Sequence, residues 1–246
     1  HESVYKAELK KGICHLSMSD IKIPTKVDIV IEVRLVPRPT CYVVEIVYEK
    51  QEEEQSTSGY IAGIDLGLTN LVALTSNQPG FAPLLINGRP LKSVNQFYNK
   101  NQAKLQTQLG EKRKSSKRIQ SMTAYRNNYV DNYLHNTSRT IVNLLKACDI
   151  GTLVIGKNDN WKQNINIGKK NNQSFTQIPH ARLIDQLTYK CQLAGIKVVV
   201  TEESYTSKCS ALDFEPLQKQ SAYLGKRVKR RSEEHTSELQ SRIRIS

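Results

Sequence analysis

The stretch GIDLGLTNLVALTSN, residues 63–77, determines the fold expected for this chain. Two apolar runs flank the polar turn LTN, and this pattern predicts a β-hairpin. The first strand carries a carboxylate, Asp65, between Gly63 and Gly67. A carboxylate inside a buried strand costs several kcal/mol unless it is paired, hydrogen-bonded or bound to a metal ion. The glycines leave the surface beside Asp65 bare, so that another backbone or a ligand can approach; the alternative is an ion-paired structural residue.

Strand patterns lie on both sides of this hairpin. Upstream, two β-branched runs at 29–36 and 41–49 are separated by the turn PRPT, and the polar segment 51–59 follows as a linker. Downstream, FAPLLING (81–88) predicts a third strand. The chain is therefore expected to begin with a β-rich region, followed by a second unit that starts near Tyr60.

Residues 93–148 change to a helical pattern with two long segments. The first, near 93–119, is rich in Lys, Arg and Gln. The second, near 121–147, has a set of positions at three- and four-residue spacings that predicts one buried helix face. These positions are Tyr133, Leu134, Thr137, Ile141, Leu144 and Leu145.

The remaining pattern alternates strands with a helix. The predicted elements are a strand at 152–156, a long polar loop at 159–175, an amphipathic helix at 178–195 and a strand at 196–203. Pro179 should lie in the first turn of the helix and Gly195 at its C-terminal cap. Three strands, a helical section, a strand, a helix and a strand predict an α/β fold with an RNase H-like mixed sheet.

The composition favours a polyanionic partner. Lys and Arg total 36 against 23 Asp and Glu, a net charge of +13, which indicates nucleic acid. Basic residues cluster on the first helical segment and in the polar loop, where they are expected to contact phosphates; a solvated helix surface is the alternative. They are Lys100, Lys104, Lys112, Arg113, Lys114, Lys117, Arg118, Lys169 and Lys170.

The five cysteines show no C-x-x-C spacing. This argues against a zinc ribbon or a disulfide framework complete within the chain. Reduced thiols indicate a cytoplasmic protein. No apolar run approaches the roughly 18 residues of a membrane span, so no membrane partner is expected.

A second carboxylate should accompany Asp65, because RNase H-like nucleases gather carboxylates from separate elements around divalent ions such as Mg²⁺. The strand expected beside Asp65 ends in Gly156, without an acid. The closest acids are Asp159, Glu202 and Glu203. Since side chains alternate along a strand, at most one of the two glutamates should face Asp65. Glu203 is preferred over Glu202 because it is nearer to the loop; the alternative is two solvated glutamates.

Three motifs occur in a specific order, namely GIDLGLTNLVAL, IPHARLI and ESYTSKCS. Over roughly Gly59–Arg230, the chain resembles the insertion-sequence OrfB/TnpB family. The resemblance implies a transposon-encoded, RNA-guided DNA endonuclease related to type V CRISPR nucleases, with roles in transposition and DNA recombination. It also implies a β-barrel-like domain before a RuvC-like nuclease domain, which carries an inserted helical hairpin and a zinc-ribbon-like insert.

The resemblance assigns roles to particular residues. Asp65 matches the first catalytic Asp, and Glu202 or Glu203 is implied as the second acid, with Mg²⁺ as cofactor and guide RNA and target DNA as partners. The expected domains are a partial β-rich domain with its linker at 1–58 and an incomplete RuvC-like domain at 59–230. Within the latter, the helical insert is expected at about 93–148 and a degenerate ribbon region at about 205–230.

The sequence departs from the family pattern at two points. Only Cys209 matches a ribbon cysteine, so we expect no zinc. The third catalytic Asp of the family follows the ribbon, but RSEEHTSELQS (231–241) resembles a translated sequencing adapter. Residues 231–246 are therefore expected to be a non-native tail, and the chain is expected to be an inactive fragment of the nuclease.

Two other functions fit parts of the pattern. A nucleic-acid-binding transposon accessory protein without nuclease activity would use the basic residues alone, and gel-shift and cleavage assays distinguish it from a nuclease. A sugar kinase of the actin-like class also carries a DLG-type strand motif. Such a kinase needs further Gly-rich phosphate-binding loops, and none is evident in the sequence.

Overall fold

The structure is a computed structural model that describes residues 4–27, 29–109, 113–157, 177–202, 205, 209–210 and 214–224. Backbone contacts divide the chain into two compact units. We call His1–Glu52 with Asn101–Asn128 the N-terminal unit, and Glu53–Lys100 with Tyr129–Ser246 the sheet unit.

The N-terminal unit contains two antiparallel strand pairs and a one-turn helix before Glu52, and parts of two long helices within Asn101–Asn128. The elements before Glu52 are α1 (Lys6–Leu9), β1 (Ile13–His15), β2 (Lys22–Pro24), β3 (Glu32–Pro37) and β4 (Tyr42–Val47). The hairpin predicted around PRPT is confirmed, with Pro37 opposite Tyr42 at its end. In this part of the unit, more residues lie in strands than in helix.

A small apolar cluster supports these strands. Four side chains are buried, and Ile23, Val33, Val44 and Ile46 are among the half-buried residues packed against them. The four are Val4, Leu9, Cys14 and Leu16. Such a cluster contributes little of the large apolar burial that stabilises a domain.

The sheet unit contains one five-stranded mixed sheet, which confirms the predicted α/β class. Its strands are β5 (Ile61–Leu66), β6 (Asn70–Ser76), β7 (Leu84–Asn87), β8 (Thr152–Gly156) and β9 (Lys197–Thr201). The spatial order is β7-β6-β5-β8-β9. The first three strands pair antiparallel, whereas β5, β8 and β9 run parallel.

The helices are α2 (Arg89–Thr107), α3 (Lys117–Ala147) and α4 (His180–Leu193). The first two lie between β7 and β8 in the chain, where the helical section was predicted. Their boundaries differ from the predicted 93–119 and 121–147, since α2 begins and ends earlier and α3 begins earlier. Side-chain hydrogen bonds accompany both starts, a turn before α2 and an N-cap at α3. The Asn87 Oδ1 atom accepts from the Arg89 amide at 3.0 Å, and the Ser116 Oγ atom accepts from the Ile119 amide at 3.3 Å.

One large core lies in the sheet unit. Ile64 of β5 and Leu153 of β8 share it with Leu187 of α4. The predicted face of α3 is confirmed, since four of its positions are buried and the other two are half-buried against the core. The buried four are Leu134, Thr137, Ile141 and Leu145, and the half-buried two are Tyr133 and Leu144.

Residues of the polar segment 51–59, which was predicted as a linker, contact α3 and the end of α4 within the sheet unit. The Ser56 amide donates to the Gly195 carbonyl at 2.8 Å, and the Lys146 ammonium lies 2.6 Å from a Glu53 carboxylate oxygen. Gly195 has the left-handed φ of 67° expected at a helix C-terminus. A Cβ at Gly195 would lie 2.1 Å from the Glu54 carbonyl oxygen, so only glycine fits.

All five cysteines are free. Cys14, Cys191 and Cys209 are buried, whereas Cys41 is exposed at the start of β4. Burial raises the pKa of the Cys191 thiol to about 12. None of the helices in the described ranges is both long and apolar enough to cross a membrane.

Candidate active site

Asp65 lies near the carboxyl end of the central strand β5, opposite Ala73 of β6. Its side chain is exposed, while Ile64 and Leu66 on either side are buried. The expectation of a carboxylate within a buried strand was therefore wrong. Alternation explains the difference, because the even-numbered residues of β5 point into the core and the odd-numbered ones point to the opposite face.

The face around Asp65 is made of small and half-buried side chains. Gly63 registers with Val154 of β8, and Val154 registers with Val199 of β9. A Cβ added at Gly63 would meet nothing within 4 Å. We call Gly63, Asp65, Ala73, Val154 and Val199 the open face of the sheet. Its openness agrees with the sequence-based interpretation that Gly63 leaves room beside the carboxylate.

The turn after Asp65 is held by close backbone contacts. A Cβ at Gly67 would lie 2.6 Å from the Asn70 carbonyl oxygen, so this glycine permits the approach of another backbone. The Gly88 amide donates to the Thr69 carbonyl at 2.7 Å. A Cβ at Gly88 would lie 2.2 Å from the Leu68 carbonyl oxygen. The β5–β6 turn is thus fixed against the segment between β7 and α2.

A buried histidine, His180, holds the same turn from the start of α4. Its side chain has no solvent exposure, and its Nε2 atom lies 3.1 Å from the Gly67 carbonyl oxygen. Because a carbonyl only accepts, this Nε2 must carry the hydrogen. This histidine belongs to the motif IPHARLI, and no role was predicted for it from the sequence. The signal was available, since a polar residue directly after Pro179 opens an apolar helix face.

Glu202, one of the two candidates for the second acid, directly follows β9, which lies two strands from β5 in the sheet. Gly156 at the end of β8 pairs with Thr201 at the end of β9, and Glu202 follows directly. As predicted, β8 itself ends without an acid. Glu203, the preferred candidate, and Asp159 lie outside the described residues.

The donor set that the structure describes suits a hard cation only in part. Asp65 offers two exposed carboxylate oxygens beside an open Gly63, and Mg²⁺ takes one or two carboxylates together with waters and substrate oxygens. Among the described residues, no three His, Cys, Asp or Glu side chains lie close enough together to hold a metal ion. Asp65 is therefore one available ligand. The candidate acids Glu203 and Asp159 lie outside the described residues.

The predicted basic residues that the structure describes are all exposed. Lys100 and Lys104 lie on α2, Arg113 and Lys114 follow its end, and Lys117 and Arg118 begin α3. None of the six is ion-paired to another described residue. Lys112, Lys169 and Lys170 lie outside the described ranges.

A buried polar cluster between α3 and α4 was not predicted. The Lys190 ammonium donates to the Ser138 hydroxyl at 2.6 Å and to the His135 carbonyl at 3.0 Å. Ser138 is also 3.2 Å from the Gln186 side-chain oxygen. Burial, followed by the charge of Arg139, lowers the pKa of Lys190. The sequence signal was that Lys190 falls at helical spacing on the apolar face of α4.

Comparisons with known proteins agree with the resemblance carried by the three motifs. Residues 45–162 match the family OrfB_IS605, described as a probable transposase, and residues 180–244 match the Cas12f1-like TNB domain. The chain belongs to the OrfB/TnpB-type family of transposon-associated proteins. The second match includes most of the segment 231–246, for which a non-native tail remains a prediction. A comparison with curated proteins gives no match.

Two solved structures are similar to this chain over part of their length. A Cas12f1–sgRNA–target DNA complex is 15% identical with a TM-score of 0.47, and the match covers 68% of this chain and 40% of that chain. A CRISPR-Cas12f ternary complex is 17% identical with a TM-score of 0.49, covering 72% and 36% respectively. This chain therefore spans less than half the length of either protein.

Proposed function

We propose that this protein acts in a transposon-associated, RNA-guided DNA endonuclease of the OrfB/TnpB type, in which Asp65 is a catalytic carboxylate. The observation that carries the proposal is the position of Asp65. It is an exposed acid at the carboxyl end of the central strand, on a face whose neighbours are small. In open sheets with parallel strands, ligands commonly bind in the crevice outside the carboxyl ends of the strands.

The strand order supports a RuvC-like assignment. In RNase H-like sheets the fourth strand lies beside the first, and here β8 lies beside β5. We propose that residues 59–230 form the nuclease domain, with α2 and α3 as its helical insert. We further propose that residues 1–58 form the remnant of the β-barrel-like domain with its linker.

Asp65 is proposed to hold a divalent cation, Mg²⁺ by the family resemblance. Such an ion would supply Lewis-acid stabilisation of the phosphodiester and a more acidic bound water. The chain's own contribution is positional, because the β5–β6 turn is fixed by Gly67, Gly88 and His180. A carboxylate on a fixed strand end loses little freedom when it binds a cation.

Glu203 remains our proposal for the second acid, with Glu202 as the alternative. Register supports this choice. Ile64, Ile155 and Val200 form one row across β5, β8 and β9, so alternation gives Thr201 the face of Asp65. Glu203 follows Thr201 by two positions in the sequence, which is the spacing at which side chains of an extended chain return to the same face.

Guide RNA and target DNA are the proposed partners, and the exposed basic residues are proposed to contact their phosphates. Each phosphate contact contributes about 0.9 to the slope of log affinity against log salt. We therefore expect the triple charge reversal of Arg113, Lys117 and Arg118 to glutamate to weaken RNA binding and to reduce that slope. Equal binding of parent and variant at every salt concentration would leave these residues as a solvated surface.

A cleavage assay with Mg²⁺, the matching guide RNA and a matched DNA target tests the nuclease. It is run on the 246-residue chain and on the complete reading frame of its locus, each with and without Asp65→Ala. We expect cleavage that depends on Asp65 in the complete frame. If the third carboxylate lies beyond residue 230, the 246-residue chain should bind nucleic acid but cut it poorly.

The same assay distinguishes the alternative function. A nucleic-acid-binding accessory protein would bind RNA in gel shifts but would show no Asp65-dependent cleavage at either length. Robust cutting by the 246-residue chain that disappears with Asp65→Ala would instead show that its set of carboxylates is complete.

A further inference from the structure

The described residues between Cys209 and Leu224 are organised around a buried carboxylate, Glu215. Its side chain is only 8% exposed. One oxygen accepts from the Ser210 amide at 2.7 Å, and the two oxygens lie 3.1 and 3.2 Å from the Leu224 amide nitrogen. The Glu215 amide in turn donates to the Ser210 carbonyl at 3.0 Å. We call Ser210, Glu215 and Leu224 the carboxylate clamp.

The clamp joins points that are distant along the chain. Ser210 precedes Glu215 by five residues, whereas Leu224 follows it by nine. Hydrogen bonds from amides to an ionised carboxylate are shorter and stronger than those between neutral groups, and 2.7 Å lies at the short end of that range. A single side chain thus ties together both ends of this segment.

The backbone next to the clamp is in a conformation that requires such support. Phe214 has a left-handed φ of 51°, which is an outlier for a bulky residue. Its ring is 92% exposed, so burial of the ring does not offset the strain. Backbone conformations of this kind persist only when surrounding interactions determine them, and the adjacent Glu215 supplies three of those interactions.

The family resemblance implies a zinc-ribbon-like insert here, but the residues present do not fit a structural zinc ion. Such a site needs four Cys or His ligands as a rule. Residues 201–230 contain one cysteine, Cys209, and no histidine. The Cys209 sulfur donates to the Pro216 carbonyl at 3.3 Å, so this thiol already has a partner in the backbone.

We propose that the described residues between Cys209 and Leu224 hold their conformation without metal, and that the carboxylate clamp cross-links them where a zinc ion would otherwise do so. A zinc ion and a buried carboxylate can both connect chain segments that are separated in sequence. A zinc ion would do so through thiolates, whereas Glu215 does so through backbone amides. The proposal does not depend on nuclease activity.

Amide hydrogen exchange of the 246-residue protein tests the clamp directly. In Glu215→Ala, we expect the Ser210 and Leu224 amides to exchange about tenfold faster or more, since each loses a charged acceptor. Glu215→Gln should be intermediate, because it keeps one accepting oxygen and places an NH₂ group against an amide. Gln218→Ala is the matched control, an exposed side chain in the same segment, and should leave both amides unchanged.

Metal removal and two further variants complete the test. EDTA should not alter exchange at either amide, and Cys209→Ser, which keeps a donor for the Pro216 carbonyl, should have little effect. Phe214→Gly should slow exchange by relieving the positive φ. The proposal fails if purified protein contains stoichiometric zinc, if EDTA removes the protection, or if Glu215→Ala leaves the protection intact.

Discussion

The two faces of the five-stranded sheet use the same strands for different purposes. On one face, Ile64 and Leu153 are buried beneath residues of α3 and α4. On the open face, their direct chain neighbours Asp65 and Val154 are exposed and half-buried. One position along a strand therefore separates a residue that stabilises the fold from one that is available to a ligand. The difference explains how a charged group can lie on the central strand without a buried partner.

Loss of the Asp65 carboxylate should have the largest effect and should act on function alone. In the complete reading frame, we expect Asp65→Ala to slow metal-dependent DNA cleavage on the order of a thousandfold, because a cation ligand worth several kcal/mol is lost. The free energy of unfolding should change by no more than about 0.5 kcal/mol, since the side chain is exposed. Cleavage rates and urea denaturation measure the two quantities.

Asp185→Ala is the control for this substitution, because Asp185 is an exposed aspartate of α4 in the same unit. It should leave both cleavage and stability unchanged. A loss of stability in Asp65→Ala as large as its loss of activity would show that the two faces are not functionally separate.

The adjacent residues Leu153 and Val154 give the sharpest test of the packed face. Leu153→Ala should cost about 3 kcal/mol of unfolding free energy, because it leaves a cavity in the core. Val154→Ala removes a half-buried side chain from the open face and should cost about 1 kcal/mol or less. Urea denaturation of the two variants measures the difference, and equal losses would contradict the distinction between the faces.

The sequence predicted which residues are buried in the core, but it did not predict that Asp65 lies on an exposed face of the sheet. The three- and four-residue spacing of Leu134, Ile141 and Leu145 predicted a buried helix side, and apolar or β-branched runs bounded by turns predicted the strands. The exposure of Asp65 was missed because alternation fixes which residues share a face but not which face is covered. That depends on where α3 and α4 pack, which is a tertiary property.

Contacts between distant segments were also beyond sequence reasoning. His180 and Gly67 are separated by 113 residues, and Lys190 and Ser138 by 52. Local patterns contain no information on such pairs. The helix starts at Arg89 and Lys117 differ in this respect, because they have local signals: Asn87 forms a turn before α2, and Ser116 is the N-cap of α3.

His180 is a buried residue that contacts the turn after Asp65, so a change at this position can affect both stability and the candidate site. His180→Ala should cost about 1–3 kcal/mol of stability by leaving the Gly67 carbonyl without this donor. His180→Gln should recover part of the loss, since its amide nitrogen can replace Nε2. If positioning matters, Gln should also recover cleavage relative to Ala. Equal cleavage by both variants would assign His180 a structural role only.

The smallest effect is expected at Lys190, the polar exception within the packed face. Replacing a buried charge by a side chain of similar shape is often neutral or stabilising, so Lys190→Met should lie within about 1 kcal/mol of the parent. Burial lowers the pKa of Lys190 in the folded state. The unfolded chain therefore binds more protons below its ordinary value of 10.5, and parental stability should rise with pH in that range.

Urea denaturation of both proteins between pH 7 and about pH 10.5 measures this dependence. The parent should gain stability relative to Lys190→Met as pH rises, because the variant lacks the titrating amine. A difference that stays constant with pH would mean that the Lys190 amine is as well solvated in the fold as in the unfolded chain.

The free cysteines of the fold have a practical consequence for spectroscopy. Thiolates are the reactive form, and burial raises the pKa of both Cys14 and Cys191, the latter to about 12. Cys209 donates its hydrogen to a carbonyl, whereas Cys41 is open to solvent at the turn of the β3–β4 hairpin. A maleimide dye used at neutral pH should therefore attach first at Cys41. The unmodified sequence then provides a fluorescent reporter on the N-terminal unit, remote in sequence from Asp65.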